Sequence, residues 1–176
     1  STVFAAAAEV EGHPDNVAAA VYGGLVAVGA GGTVRPLDIH SSLRVLVAVP
    51  DTTLSTAAAR EATAGEVSTG VAARTAARLA FLVEGLRSGD AAALREAAGD
   101  ELHEARRAHL SPLTGKLIAA AREAGALHAC WSGAGPSALA LTDATTAPAV
   151  RRALEDALDG GYVLSPEIDR TGLTAG

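Results

Sequence analysis

Apolar positions recur at helical spacing over most of the chain, and short β-branched or alternating runs interrupt them at a few places. Residues 2–10 form an alanine-rich, helix-prone run that Gly12 stops. Pro14 offers a first-turn position to a second helix, with Asp15 and Asn16 in that turn; it runs to about Tyr22 and ends at Gly23-Gly24. Residues 25–29 and 33–39 read as short strands around the turn Gly29-Ala30-Gly31-Gly32. Residues 43–49 are a β-branched run, hence a buried strand, closed by Pro50. From Ser55 to Ala124 the pattern is helical, broken at Gly65, Gly89, Gly99 and Pro112. Val71, Leu79, Leu82, Val83 and Leu86 mark the apolar stripe of its longest piece. Two apolar runs, 127–131 and 137–142, flank the turn Ser132-Gly133-Ala134-Gly135-Pro136. A helix over 150–158, a stop at Gly160-Gly161 and a last strand over 162–164 follow, with a loose tail after Pro166.

From residue 42 the order is strand, helices, strand, strand, helix, strand. That is an α+β, ferredoxin-like split β-α-β-β-α-β unit with a helical insertion after its first strand. Residues 1–41 fall outside it and read as the end of another domain, with 42–176 as the split-unit domain. The uncapped apolar start leads us to expect a preceding segment, an uncovered apolar surface on residues 1–30, and self-association, with a homodimer as its simplest form.

Composition narrows the function. Hydrophobic residues make up 49% of 176 and aromatics only 3%, so the core must be built from Val, Leu and Ala. A net charge of −6 argues against a nucleic-acid or anionic-membrane partner, and a lone Lys116 beside many Arg points to local roles for the guanidiniums. A single cysteine, Cys130, rules out an intrachain disulfide and suits a reducing compartment. With no apolar run long enough to span a bilayer and no leader pattern, a cytoplasmic protein is expected.

Four constellations carry candidate chemistry. In Glu9-Val10-Glu11-Gly12-His13-Pro14-Asp15-Asn16, His13 and Asn16 share a face at a helix start, where free N–H groups favour an anion; equally, Asp15 and Asn16 could merely satisfy the first turn. In Ser55-Thr56-Ala57-Ala58-Ala59-Arg60, Thr56 and Arg60 lie one turn apart, a hydroxyl beside a carboxylate- or phosphate-binding fork, or else a solvated Arg on a capped helix. His103 and Arg107 are again one turn apart, and a polar helix face explains them equally. The turn Ser132-Gly133-Ala134-Gly135 could fold into a phosphate-cradling nest or serve only as a tight hairpin. It is neither a Walker A loop nor a dinucleotide fingerprint. Cys130 and Trp131 read as packing, the acids from Glu96 to Glu104 as a solvated helix face, and His40, His109 and His128 receive no role.

Taken in order, EGHPDN with a following GGL, LSTAAAR, HEARRAHL and WSGAGPSALALT resemble the homoserine kinase family of the GHMP small-molecule kinase superfamily. The likeness runs from about Glu9 to Leu164. It implies a ferredoxin-like C-terminal domain and transfer of the ATP γ-phosphoryl to the hydroxyl of L-homoserine, giving O-phospho-L-homoserine in threonine synthesis. It further implies substrate contacts at His13, Asp15, Asn16, Thr56, Arg60 and Arg107, with Asn16 beside the reacting hydroxyl and catalytic roles for Asn16 and Arg107. Glu9 matches the acidic Mg²⁺ ligand, with Glu11 as the fallback. Ser132, Gly133, Ala134 and Gly135 match the motif that abuts the phosphate loop.

Two features depart from the family. Ala105-Arg106 stands where Pro-Tyr usually precedes the second substrate Arg. The Gly/Ser-rich phosphate loop of form PxxxGLGSSAA is absent, so the main ATP cradle is expected from an N-terminal half or a complementary chain. A different GHMP kinase acting on a carboxylated small molecule, and a non-catalytic module binding an amino acid or a partner, are the alternatives.

Overall fold

The computed structural model describes residues 2–174, and the chain divides into two compact units. In the first, helices α1 (Thr2–Glu11) and α2 (Pro14–Tyr22) precede a hairpin of β1 (Leu25–Val28) and β2 (Val34–Leu37). Pro14 occupies the first turn of α2, where its missing N–H costs nothing, and Gly23 closes the helix. The strands pair antiparallel from Leu25 opposite Leu37 to Val28 opposite Val34. Phe4 is buried, its ring 5.6 Å from that of Tyr22.

The second unit begins at Ser41 and runs to Glu167. Its strand β3 (Arg44–Pro50) is followed by helices α3 (Thr56–Thr63), α4 (Thr69–Ser88), α5 (Ala91–Glu96), α6 (Glu104–Arg107) and α7 (Pro112–Glu123). Then come β4 (His128–Trp131), β5 (Ala138–Thr142), α8 (Ala147–Ala157) and β6 (Gly161–Leu164). The sheet order is β4-β5-β3-β6, antiparallel throughout. This is the arrangement a split β-α-β-β-α-β unit produces, with α3 to α6 inserted ahead of α7.

Helices α7 and α8 pack on this sheet. Strand β3 alternates, burying Leu46, Ala48 and Pro50. Leu46 and Ala48 meet Ala129, Ala138 and Ala140 of the sheet, Leu117, Ile118 and Ala121 of α7, and Val150 and Leu154 of α8. Alanine on the sheet face lets the helices approach closely, so leucines and Trp131 fill the core without further rings.

Three expectations are corrected. The tail after Pro166 is anchored, because Asp169 O accepts from Gly24 N at 2.6 Å and Val21 O accepts from Leu173 N at 3.1 Å. Gly23 and Gly172 approach so closely that a Cβ on Gly23 would lie 2.5 Å from Gly172 N. The compact units therefore place the last described residues with the first unit, whereas 42–176 was expected as one span; residues 1, 175 and 176 lie outside the described residues. The stretch 97–103 is a set of turns rather than a solvated helix face, since Gly99 takes φ 88°. Finally, α8 starts three residues earlier than expected. Pro148 fits its first turn, and the Asp143 carboxylate accepts from Thr145 N, Thr146 N and Thr146 Oγ1 just before it.

Among the described residues, no helix is long and apolar enough to cross a membrane.

Leu154 is fully buried between α8 and the sheet. Leu154→Ala is expected to cost about 2–5 kcal/mol of unfolding free energy, measured by chemical denaturation, because the packed alanines around it cannot collapse into the void.

Candidate functional site

The second unit brings three of the sequence constellations together through one short helix. Helix α3 starts at Thr56 after the N-cap Ser55, whose side chain accepts from Ala58 N at 3.4 Å. Thr56 and Arg60 are both exposed, one turn apart. From α6, Arg107 donates through Nε to Ala59 O (3.3 Å), the carbonyl of the residue before Arg60. Its Nη1 donates to Gly133 O at 3.1 Å. One guanidinium thus joins the LSTAAAR helix to the glycine turn. Its Nη2 makes no hydrogen bond among the described residues.

The glycine turn is tightly specified. Gly133 and Gly135 have φ of 58° and 86°, a region costly for any residue with a Cβ. At Gly135 a Cβ would also collide with the Trp131 ring, whereas Gly133 faces open space. Ser132 N donates to Ser137 O and Gly135 N to Ser132 O, so two of the turn's donors are spent internally. Only Gly133 N and Ala134 N are left with no hydrogen-bond partner among the described residues, which halves the nest that the sequence suggested. Beneath the turn, the fully buried Thr114 hydroxyl donates to Pro136 O at 2.6 Å and lies 2.8 Å from Ser111 Oγ.

Three carboxylates from the supposed solvated face hold α6 in place. Asp100 Oδ1 accepts from Leu102 N and His103 N, and its Oδ2 meets His103 Nδ1 at 2.7 Å. His103 is therefore engaged locally and does not share a working face with Arg107. Glu101 takes Arg74 and Arg78 of α4 at 2.6 Å each. Hydrogen bonds from Arg74 and then Arg78 hold its carboxyl at about 2, far below its ordinary 4.5. Glu104 Oε1 accepts from Trp131 N at 3.3 Å. Since β4 is an edge strand, this contact ties α6 to the strand that leads into the glycine turn. Burial of Glu104 raises its pKa, and burial likewise pushes the Cys130 thiol up to about 11, which suits a packing residue.

In the first unit, Glu9 and Glu11 lie in the last turn of α1, and His13 stands in extended backbone at the N-cap of α2. All are exposed, as are Asp15 and Asn16. Asp15 Oδ1 accepts from Asn16 N at 2.9 Å, so the carboxylate does serve the helix start. The Asn16 side chain makes no hydrogen bond among the described residues. Nor do the described residues contain a cluster of three or more His, Cys, Asp or Glu able to hold a metal.

Residues 82–160 match the family described as GHMP kinases, C terminal. The homoserine kinase of Gloeobacter violaceus is 42% identical over 168 residues, covering 94% of this chain and 56% of that protein. That of Thermus thermophilus is 46% identical over 153 residues, covering 86% and 52%. In structure, the homoserine kinase of Cytophaga hutchinsonii superposes with a TM-score of 0.85 at 28% identity, over 91% of this chain and 53% of that one. Over residues 82–160 the chain matches a GHMP kinase C-terminal domain. It spans about half the length of the curated relatives it matches.

Within this GHMP kinase domain, sequence reasoning missed Arg106, Thr114, Glu101 and Glu104. Arg106 donates through Nη1 to Thr63 O and Ala64 O, both at 3.1 Å, and through Nη2 to Glu66 O at 2.7 Å. No spacing rule finds such contacts, because the acceptors are peptide oxygens distant in sequence. A threonine in the first turn of a helix is likewise too common to single out Thr114.

Two outcomes are expected. Thr114→Val should destabilise the protein by about 1–3 kcal/mol in denaturant titrations, since Pro136 O loses its buried donor, while Thr114→Ser retains most of that stability. Because the Glu101 pKa is depressed on folding, its contribution is full above pH 4.5 and is lost as pH falls toward about 2. The gap in melting temperature between the native sequence and Glu101→Gln should therefore close across that acid window, and high salt should narrow it at neutral pH.

Proposed function

We propose that the chain forms part of a homoserine kinase, which transfers the γ-phosphoryl of ATP to the hydroxyl of L-homoserine to give O-phospho-L-homoserine in threonine synthesis. The observation that carries this reading is the Arg107 clamp. It links the helix bearing Thr56 and Arg60 to the glycine turn, in a chain whose relatives over nearly its whole length are named homoserine kinases.

The reading assigns the substrate α-carboxylate to Arg60 and to the Nη2 donor of Arg107, since a planar guanidinium matches a carboxylate in shape and charge. Thr56 adds a hydroxyl on the same helix face. His13, Asp15 and Asn16 are assigned to the substrate as well, with Asn16 at the reacting hydroxyl. In the reaction the hydroxyl oxygen bonds to the γ-phosphorus as the bond to the ADP oxygen breaks. An amide cannot take up the hydroxyl proton, so Asn16 orients the oxygen and the proton leaves to phosphate or solvent. Phosphoryl transfer tolerates this, because its barrier falls mainly through alignment and charge neutralisation.

Glu9, or Glu11 as the fallback, would hold the Mg²⁺ that accompanies ATP, and the ion would neutralise charge on the phosphates; both carboxylates are exposed in the last turn of α1. Gly133 N and Ala134 N are assigned to a phosphate oxygen. The family's PxxxGLGSSAA loop is not among these residues, and the reading gives the main ATP cradle to a further segment, on this chain or a complementary one. A biosynthetic step of this kind belongs in the cytoplasm.

The test is ADP formation from ATP, coupled to a spectrophotometric readout, with and without L-homoserine, using the protein at its natural length. Turnover that depends on homoserine is expected, and its absence would sink the assignment. Arg60→Glu should raise the homoserine KM about 10- to 100-fold or more, the worth of a charge-assisted carboxylate contact, with the ATP KM little changed. An unchanged homoserine affinity by calorimetry would remove Arg60 from the substrate site.

A further inference from the structure

Helix α3 is a weak element by its own physics. Eight residues cannot sustain a helix in water, so α3 depends on tertiary contacts, and the element it packs against is α6. Its C-terminus also lacks the usual closure. Ala64 at the C-cap is extended, at φ −65° and ψ 154°, where a left-handed glycine would return N–H groups to the last carbonyls. The Ala64 N–H reaches only Glu61 O. Thr63 O, Ala64 O and Glu66 O are met instead by the single guanidinium of Arg106. A cation at that position also complements the negative end of the helix dipole.

We infer that Arg106 is a positioning residue for the substrate-binding helix: by capping the C-terminal end of α3 it sets where Thr56 and Arg60 stand. The inference rests on the homoserine kinase reading above. Arg106 occupies the place where the resembled family usually has tyrosine, so the device belongs to this sequence. A planar fork can bridge three carbonyls in two directions; a lysine ammonium, a point donor on a flexible stem, cannot. Arg106 touches no substrate in this account, and it acts through Arg60.

The experiment is a double-mutant cycle of Arg106→Ala and Arg60→Ala, read by steady-state kinetics in the protein at its natural length, with melting temperatures for each variant. Arg106→Ala is expected to raise the homoserine KM about 10-fold while the ATP KM moves less than about twofold, the loss of one charge-assisted set of bonds at the acceptor side only. In the Arg60→Ala background, the same change should add little further, because the residue through which Arg106 acts is gone. Should Arg106→Ala not fold, Arg106→Lys carries the cycle, with a smaller rise in the homoserine KM. A role confined to general stability would lower the melting temperature and the apparent kcat while leaving KM unmoved. That result, or homoserine KM effects that multiply independently in the double variant, would overturn the inference alone. Native protein without homoserine-dependent turnover would overturn the proposed function and this inference with it.

Discussion

A short helix, the loop after it and a glycine turn stay in register only if their backbone carbonyls find donors, and the second unit supplies those donors with two adjacent arginines. Arg106 and Arg107 serve the carbonyls of Thr63, Ala64, Glu66, Ala59 and Gly133. Those oxygens belong to a helix too short to stand alone, to the loop after it, and to a turn whose conformation demands glycine. The pair bonds α3 and the glycine turn directly to α6. The arginine pair is therefore the joint at which three separate stretches of sequence become one piece of structure.

The joint needs its own support. A helix of four residues cannot hold two arginines in position, so the turns before α6 are locked by Asp100 and Glu101, and the helix itself by Glu104 on Trp131 N. That makes the acids between Glu96 and Glu104 an anchoring network rather than a solvated face. Arg106, Arg107 and Arg74 each use a planar fork to reach more than one acceptor oxygen, which a lysine's single nitrogen on a flexible stem matches less well.

How much of this could be read in advance follows the same division. The sheet was readable because its signals are local: a β-branched run over residues 43–49, two apolar runs around a glycine turn, and Gly160-Gly161 ahead of a last strand. The stop at Gly89 was readable because that residue closes α4 with a positive φ that other residues avoid, and Gly65 and Gly99 fall within three residues of the ends of α3 and α5. The motifs around Arg60, Arg107 and Gly133 were visible as resemblances. What they do to one another was not, since an arginine paired with a peptide oxygen more than forty residues away leaves no periodicity in the sequence. The tail failed for a related reason. Asp169 and Gly172 look like loop residues, and their pairing with the Gly23-Gly24 corner depends on two glycine backbones meeting without side chains between them.

The chemistry assigned to the chain sharpens the importance of such joints. A reaction that relied on a strong base or a resident metal cluster would concentrate its demands in the groups that touch the reacting atoms. Transfer of a phosphoryl group asks instead that a nucleophile, a leaving group and a few charges be held in line. Under the proposed assignment, Asn16 would offer orientation and no basicity, and Arg60 a charge whose value depends on where its helix stands. In such a site the distinction between scaffold and machinery narrows, because an error of about 1 Å in a helix that never meets the phosphate is an error in the reaction coordinate itself. On the proposed reading, the motif residues would decide which substrate is held, while a residue with only backbone partners, such as Arg106, would decide how well it is aimed.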